Sequence, residues 1–272
     1  MNDLQKNSIK ILCRQYYDYQ NQRLAMDGRM GTKKNLEKKK GIPERDDELL
    51  EILFVQREDL ISREEEIMCG VRDVKTKKLI KKGLKHLVRE YPIWKEFLKD
   101  IKGCGETMAA VIISEIDIHK ADTVSKIWQF AGLNPGMVRG KKFKGKGDNK
   151  KIIVSDEMVR GDKKTAGFLC PYNQFLKAKM CGVLGAGFLK AESPYREYYD
   201  NMKHRLISAD WGMESKNPTD PKRPKAGHQH KAANRYMVKM FIKDLYVAWR
   251  TLEGLPVREP YQEEYLGKKH TV

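Results

Sequence analysis

Residues Ile101-Lys102-Gly103-Cys104-Gly105-Glu106-Thr107 set two glycines two apart, just ahead of the small and aliphatic run Met108-Ala109-Ala110-Val111-Ile112. Glycine adopts backbone angles closed to other residues, so this spacing suits a tight corner. A helix starting at the corner leaves its first N–H groups without intrahelical partners, and its dipole adds positive potential there. The chemistry such a stretch offers is capture of a phosphate by backbone amides. A second candidate lies downstream. Residues 139–151 hold seven basic residues (Arg139, Lys141, Lys142, Lys144, Lys146, Lys150, Lys151) among three glycines, which reads as a flexible, phosphate-contacting loop. Nucleophilic chemistry is poorly provided for. No Ser, Thr or Cys occurs from Lys126 to Val154, and the nearest hydroxyl is Ser155, beside Asp156. Ser155 is therefore the one weak catalytic candidate, with a capping or loop role as the alternative. His228 and His230 stand two apart without a Cys or Asp pair nearby, so no metal site is expected.

The DNA-binding candidates are thus Lys102, Gly103, Gly105 and Thr107 at the corner, and the seven basic residues of 139–151. The corner has the pattern of a helix-hairpin-helix, a binder of the DNA backbone, placed at about 93–117. The charge points the same way. Lys and Arg number 54 against 37 Asp and Glu, a net charge of +17 over 272 residues, and such an excess favours polyanions. No apolar span is long enough to cross a bilayer, so a membrane partner is not expected. The N-terminal residues lack the apolar core of a secretory signal, and five scattered cysteines (13, 69, 104, 170, 181) include no C-x-x-C pair. The expectation is a reduced, cytoplasmic, nucleoid-associated protein.

The elements that must position these groups read as mainly α. Residues 3–27 carry a stripe of Ile9, Leu12, Tyr16, Tyr19 and Met26, interrupted by Arg23. A glycine- and lysine-rich break follows over 28–45. A second helix over 46–72 has a seam of Leu49, Leu53, Leu60, Ile67 and Val71. Together these predict a helical hairpin or a dimerising arm. A basic helix is expected over 74–91, a further helix over 93–100, and a short helix over 124–131, capped by Asp122 or Thr123 and closed by Gly132. Ile152-Ile153-Val154 could make a short strand. Long helices are expected from Pro171 to Lys190, from Ser193-Pro194 onward, and over 229–252. The domains are a helical coiled-coil arm, 1–91, and a compact helical domain, 92–272.

The order of these motifs resembles the C-terminal domain and coiled coil of the insertion-sequence 110 (116/902) transposases. The resemblance rests on the glycine corner, the capped helix, Ala131-Gly132-Leu133-Asn134-Pro135, Arg160-Gly161-Asp162, and the late helix from Gly227 to Phe241. It covers roughly residues 85–265. It implies a DNA-binding protein of the transposase type, acting in transposition and recombination, with DNA and a structured RNA as partners. Two departures are expected to matter. That family has an N-terminal RuvC-like domain with four catalytic carboxylates, and this reading expects a chain that opens directly on the arm. The family also places a catalytic serine shortly after the Ala-Gly-Leu-x-Pro segment, where this sequence has Gly136-Met137-Val138-Arg139. The chain is accordingly read as a truncated or partner-dependent transposase. No cofactor is evident; magnesium is expected only with a RuvC-like partner. Two alternatives stay open: an active recombinase working with a separate RuvC-like subunit, and a non-enzymatic helical scaffold that self-associates through its arm.

Overall fold

The computed structural model describes residues 3–30, 47–145, 150–208 and 226–259. The chain is mainly α and divides into two compact units. One comprises Met1–Tyr91 with Ala109–Ser114; the other comprises Pro92–Met108 and Glu115–Val272.

In the first unit, α1 (Asp3–Met30) and α2 (Asp47–Cys69) pack against each other. The acids Asp47 and Glu48 favour the positive end of the α2 dipole. The pairs Arg23–Glu64 and Arg57–Asp27, each 2.6 Å, fix an antiparallel alignment. The α1 seam keeps Ile9 and Met26 of the expected stripe, but Cys13 and Tyr17 take the places of Leu12 and Tyr16, which are half-buried. Arg23 does not interrupt the seam. It grips both oxygens of buried Glu64 and so supplies a paired charge inside it. The expected basic helix over 74–91 is corrected to a small hairpin, β1 (Val71–Arg72) and β2 (Leu79–Lys81), followed by α3 (Leu84–Glu90). Asp73 explains the difference. Its carboxylate accepts from the Lys75 and Thr76 amides and the Thr76 hydroxyl, which folds the chain into a turn instead of a helix.

The second unit is built on α10 (Ala226–Leu252), whose Met237, Phe241, Leu245 and Trp249 are buried as the periodicity predicts. Phe241 centres an aromatic cluster, with ring centroids of Phe188 at 5.2 Å, Tyr195 at 5.5 Å and Phe97 at 6.2 Å. Buried Arg250 near the end of α10 donates to the carbonyls of Ile118, Ala121 and Pro256, tying two irregular segments to the helix. The expected helix over 93–100 is broken. It forms α4 (Pro92–Glu96), then a 3-10 turn (Leu98–Asp100), because Phe97 leaves the helical region at φ −140°. Next come α5 (Glu106–Glu115), whose residues Ala109–Ser114 are counted with the first unit, and α6 (Val124–Phe130), with Gly132 at φ +65° closing α6.

The expected loop over 139–151 is largely a two-stranded antiparallel ribbon, β3 (Met137–Lys144) and β4 (Lys151–Arg160). Alternation explains the correction: Val138, Ile153 and Val159 fall on one face, which is half-buried or buried. The ribbon leads to α7 (Gln174–Ala178), a π-helical turn (Lys179–Leu184) and α8 (Gly185–Lys190). Asn173 caps α7 by accepting from the Leu176 amide, so the helix begins three residues after Pro171. Then α9 (Arg196–Ser208) packs on α10.

The π-helical turn has a visible cause. Asn234 donates to the Cys181 carbonyl at 2.8 Å, replacing a helical partner. A Cβ on Gly185 would lie 2.0 Å from the Asn234 Oδ1. Gly185→Ala is therefore expected to lower stability by about 1–3 kcal/mol. Adding Asn234→Ala should recover part of that loss, as a double-mutant cycle by urea denaturation would show.

Lys239 gives a second expectation. Its Nζ sits 4.1 Å from the Trp128 ring centroid, and the Trp128 indole donates to its carbonyl. Burial, aided by nearby Arg235, lowers the Lys239 ammonium to about 8. Between pH 8 and the ordinary lysine value the unfolded chain binds the extra proton, so this residue makes stability rise with pH across that window. Lys239→Met should remove the rise and stabilise the protein at pH 7 by on the order of 2 kcal/mol. Urea melts of both proteins at pH 7 and pH 10 read it; parallel pH profiles would contradict it.

Candidate nucleic-acid interface

The glycine corner lies between the 3-10 turn and α5. Gly103 takes φ +89°, and its Cα faces the backbone of Gly187 so closely that a Cβ would come within 2.7 Å of that carbonyl. Gly105 faces open space and is exposed. The Cys104 amide is taken by the Ile101 carbonyl. α5 opens at Glu106, directly after the corner, so the positive end of its dipole lies there. Lys102 is exposed beside the corner and Thr107 is half-buried. Glu106 sits in the first turn of α5 and offsets part of the positive potential there. Cys104 anchors the corner in the interior; burial pushes its thiol up to about 12, so it stays protonated at neutral pH. The two glycines therefore differ: Gly103 is demanded by the fold, while Gly105 leaves room for a ligand.

The ribbon holds most of the other candidates. Arg139, Lys141, Lys144 and Lys151 lie on its strands, and Lys150 lies just before β4; all five are exposed. Lys142 is half-buried, 3.6 Å from Glu157 and 5.8 Å from the Phe168 ring centroid. Lys146 falls outside the described residues. The ribbon is tied at its base by the Gly161 amide to the Gly136 carbonyl, and along one edge by the Leu169 amide to the Lys141 carbonyl.

Ser155 occupies an irregularity in β4, where the register shifts between Arg139 and Lys141. It is buried, and its hydroxyl accepts from the Glu157 amide at 3.3 Å. That geometry shapes the bulge. Its neighbours in sequence do not gather around it. Asp156 is exposed, Glu157 pairs with Lys142, and Asp162 turns to Arg160 and Arg235, each at 2.9 Å. Among the described residues no three His, Cys, Asp or Glu side chains come together to hold a metal ion.

The Asp162 cluster went unseen in the sequence. Asp162 is buried, its carboxylate takes both forks of Arg160 and one of Arg235, and its carbonyl accepts from Lys177. Burial alone would raise its carboxyl. The Arg160 hydrogen bonds and the charges of Arg160, Arg235 and Lys177 outweigh that and hold it below the usual carboxylate range. Its signal is the Arg160-Gly161-Asp162 triplet, but Arg235 arrives from α10, too distant in sequence for spacing to reveal. His230 on the same helix accepts or donates a hydrogen bond with the buried Tyr199 hydroxyl at 2.8 Å.

No described helix is long and apolar enough to cross a membrane. No curated protein and no solved structure matches the chain. Residues 95–152, which run from α4 through the glycine corner and α6 to the start of β4, match the transposase family IS116/IS110/IS902.

Proposed function

We propose that this chain is a DNA-binding protein of the transposase type that acts in transposition or recombination and depends on a partner for catalysis. The observation that carries the reading is the row of exposed cations on the ribbon, Arg139, Lys141, Lys144, Lys150 and Lys151, in a chain that also has a glycine corner with an open face at Gly105. The family match over 95–152 supplies the transposase class. Phosphate contacts of this kind fix position and bring affinity, but carry little sequence information. The corner acts as a helix-hairpin-helix, with Lys102 and the start of α5 on one phosphate, and the ribbon adds further backbone contacts. A RuvC-like partner would supply strand cleavage and the magnesium it needs; Ser155, buried with its hydroxyl accepting from the Glu157 amide, is poorly placed for that role.

The test is titration of a duplex at low salt with the wild type and with a variant in which Lys141, Lys144, Lys150 and Lys151 are all Gln. These side chains are exposed, so folding should be unaffected. The variant is expected to bind at least 100-fold more weakly. Equal affinity would dismiss the ribbon as the contact surface. Glu106→Gln should have the opposite sign, tightening binding about two- to five-fold by removing the acid at the helix start.

Self-association through the arm is a second reading, favoured by the exposure of Leu49, Ile52, Phe54 and Val55 on α2. Mass in solution before and after Ile52→Glu with Val55→Glu decides it: a drop is expected, and no change removes it.

A further inference from the structure

The ribbon presents more than charge. The pairs Met137–Arg160, Arg139–Met158, Lys141–Val154 and Phe143–Ile152 put eight side chains on one face. All eight are exposed, including five large apolar ones: Met137 55%, Phe143 48%, Ile152 59%, Val154 58% and Met158 51%. Two exposed acids, Asp156 and Glu157, lie in the bulge between Val154 and Met158, and Glu157 is 3.6 Å from Lys142, which offsets its charge. Lys150 stands 4.3 Å from the Phe143 ring centroid, keeping a cation beside the outermost aromatic group. An exposed strand face of this kind is an aggregation hazard unless it has an occupant, and its interleaved cations select a polyanionic one.

Resting on the DNA-binding reading, we infer that this face enters the minor groove of duplex DNA and that Phe143, Ile152 and Val154 act as wedges that unstack base steps and bend the helix. The chemistry of the face decides between the grooves. Major-groove readout rests on Arg or Lys reaching guanine and on Asn, Gln, Ser or Thr reaching the other base edges. The four pairs hold none of the latter, Arg160 is held by Asp162, and five of the eight side chains are large and apolar. Aliphatic and aromatic tips flanked by Arg and Lys suit the other mode, in which apolar groups press between bases while cations neutralise the flanking phosphates. The eight residues of β3 span about 24 Å, enough to follow roughly half a turn of groove. The substrate class implied is duplex that kinks easily, whether through flexible pyrimidine–purine steps, a mismatch or a nick.

The experiment uses a 30-base-pair duplex with a dye on each end, intact or with one central mismatch. It is titrated with the wild type, with the triple variant Phe143→Ser, Ile152→Ser, Val154→Ser, and with the apolar control Phe143→Leu, Ile152→Met. The expected results are a shortened end-to-end distance with the wild type, tighter binding to the mismatched duplex, and a 10- to 100-fold weaker, unbent complex with the triple variant. The slope of affinity against salt should be unchanged in the triple variant, since its cations remain. The apolar control should bend DNA as the wild type does. A wild type that binds without bending, or a triple variant that binds and bends normally, overturns the inference and leaves the DNA-binding reading standing. A triple variant whose only change is a lower mass in solution marks the face as a protein contact and also overturns it. Absence of any duplex binding by the wild type at 50 mM salt removes the parent reading instead.

Discussion

Gly103→Ala is expected to destabilise the protein by about 3–5 kcal/mol, while Gly105→Ala changes stability by less than about 1 kcal/mol. The two glycines look equivalent in the sequence and are not. Gly103 has φ +89°, a conformation that puts any Cβ under strain, and the atoms that Cβ would strike are the Gly187 carbonyl at 2.7 Å and the Phe188 nitrogen at 2.9 Å. Those are backbone atoms of α8, with no soft side chain to give way. Phe188 is fully buried in the aromatic cluster around Phe241, so displacement of α8 would disturb the core of the second unit. Gly105 meets nothing within 4 Å. Urea denaturation of the two single variants measures the contrast directly; equal midpoints would contradict it. The contrast also has a use. Binding defects in Gly105 variants report on the interface, whereas those in Gly103 variants report on the fold.

Asp162→Ala is expected to destabilise by about 1–3 kcal/mol, because it removes the buried carboxylate that Arg160 and Arg235 bond, while both arginines keep access to water. Asp162→Asn should cost less, since an amide oxygen still accepts one hydrogen bond. The pH dependence follows from the sign of the shift. The folded state holds the Asp162 carboxyl below its unfolded value, so its contribution is fully present above the unfolded carboxylate range, near pH 4. That contribution is lost as pH falls through the lower, folded value. The stability gap between wild type and Asp162→Asn should therefore be constant from pH 5 to 7 and shrink below pH 4. A gap that widens on acidification would mean that the carboxyl is protonated in the fold and that the cluster is held by something other than charge.

What the sequence discloses and what it hides divide along a physical line. The burial of Met237, Phe241, Leu245 and Trp249 follows from spacing along α10, which is a local property. The left-handed Gly132 at the end of α6 was legible for the same reason. The ribbon is masked because lysines and glycines in 139–151 suggest a loop by composition, while its alternation is diluted by a bulge and by apolar residues on both faces. The hairpin over 71–81 was hidden behind Ile80, Leu84, Leu87 and Tyr91, a helical spacing that the Asp73 turn overrides. The half-buried place of Arg23 beside the α1 seam rests on its pair with buried Glu64, forty-one residues away. The candidate site shows the same division. The cations and the glycines are visible in the chain, but the shared outer face of the ribbon and the Asp162–Arg235 pair depend on contacts that no local pattern encodes.

The most direct measurement is the salt dependence of duplex binding by the whole chain. Five exposed cations on the ribbon and Lys102 at the corner should each displace about one counterion, so affinity plotted logarithmically against salt should fall with a slope of about −5. A slope shallower than about −2, or no binding at 50 mM salt, would contradict a protein that holds the phosphodiester backbone with this surface.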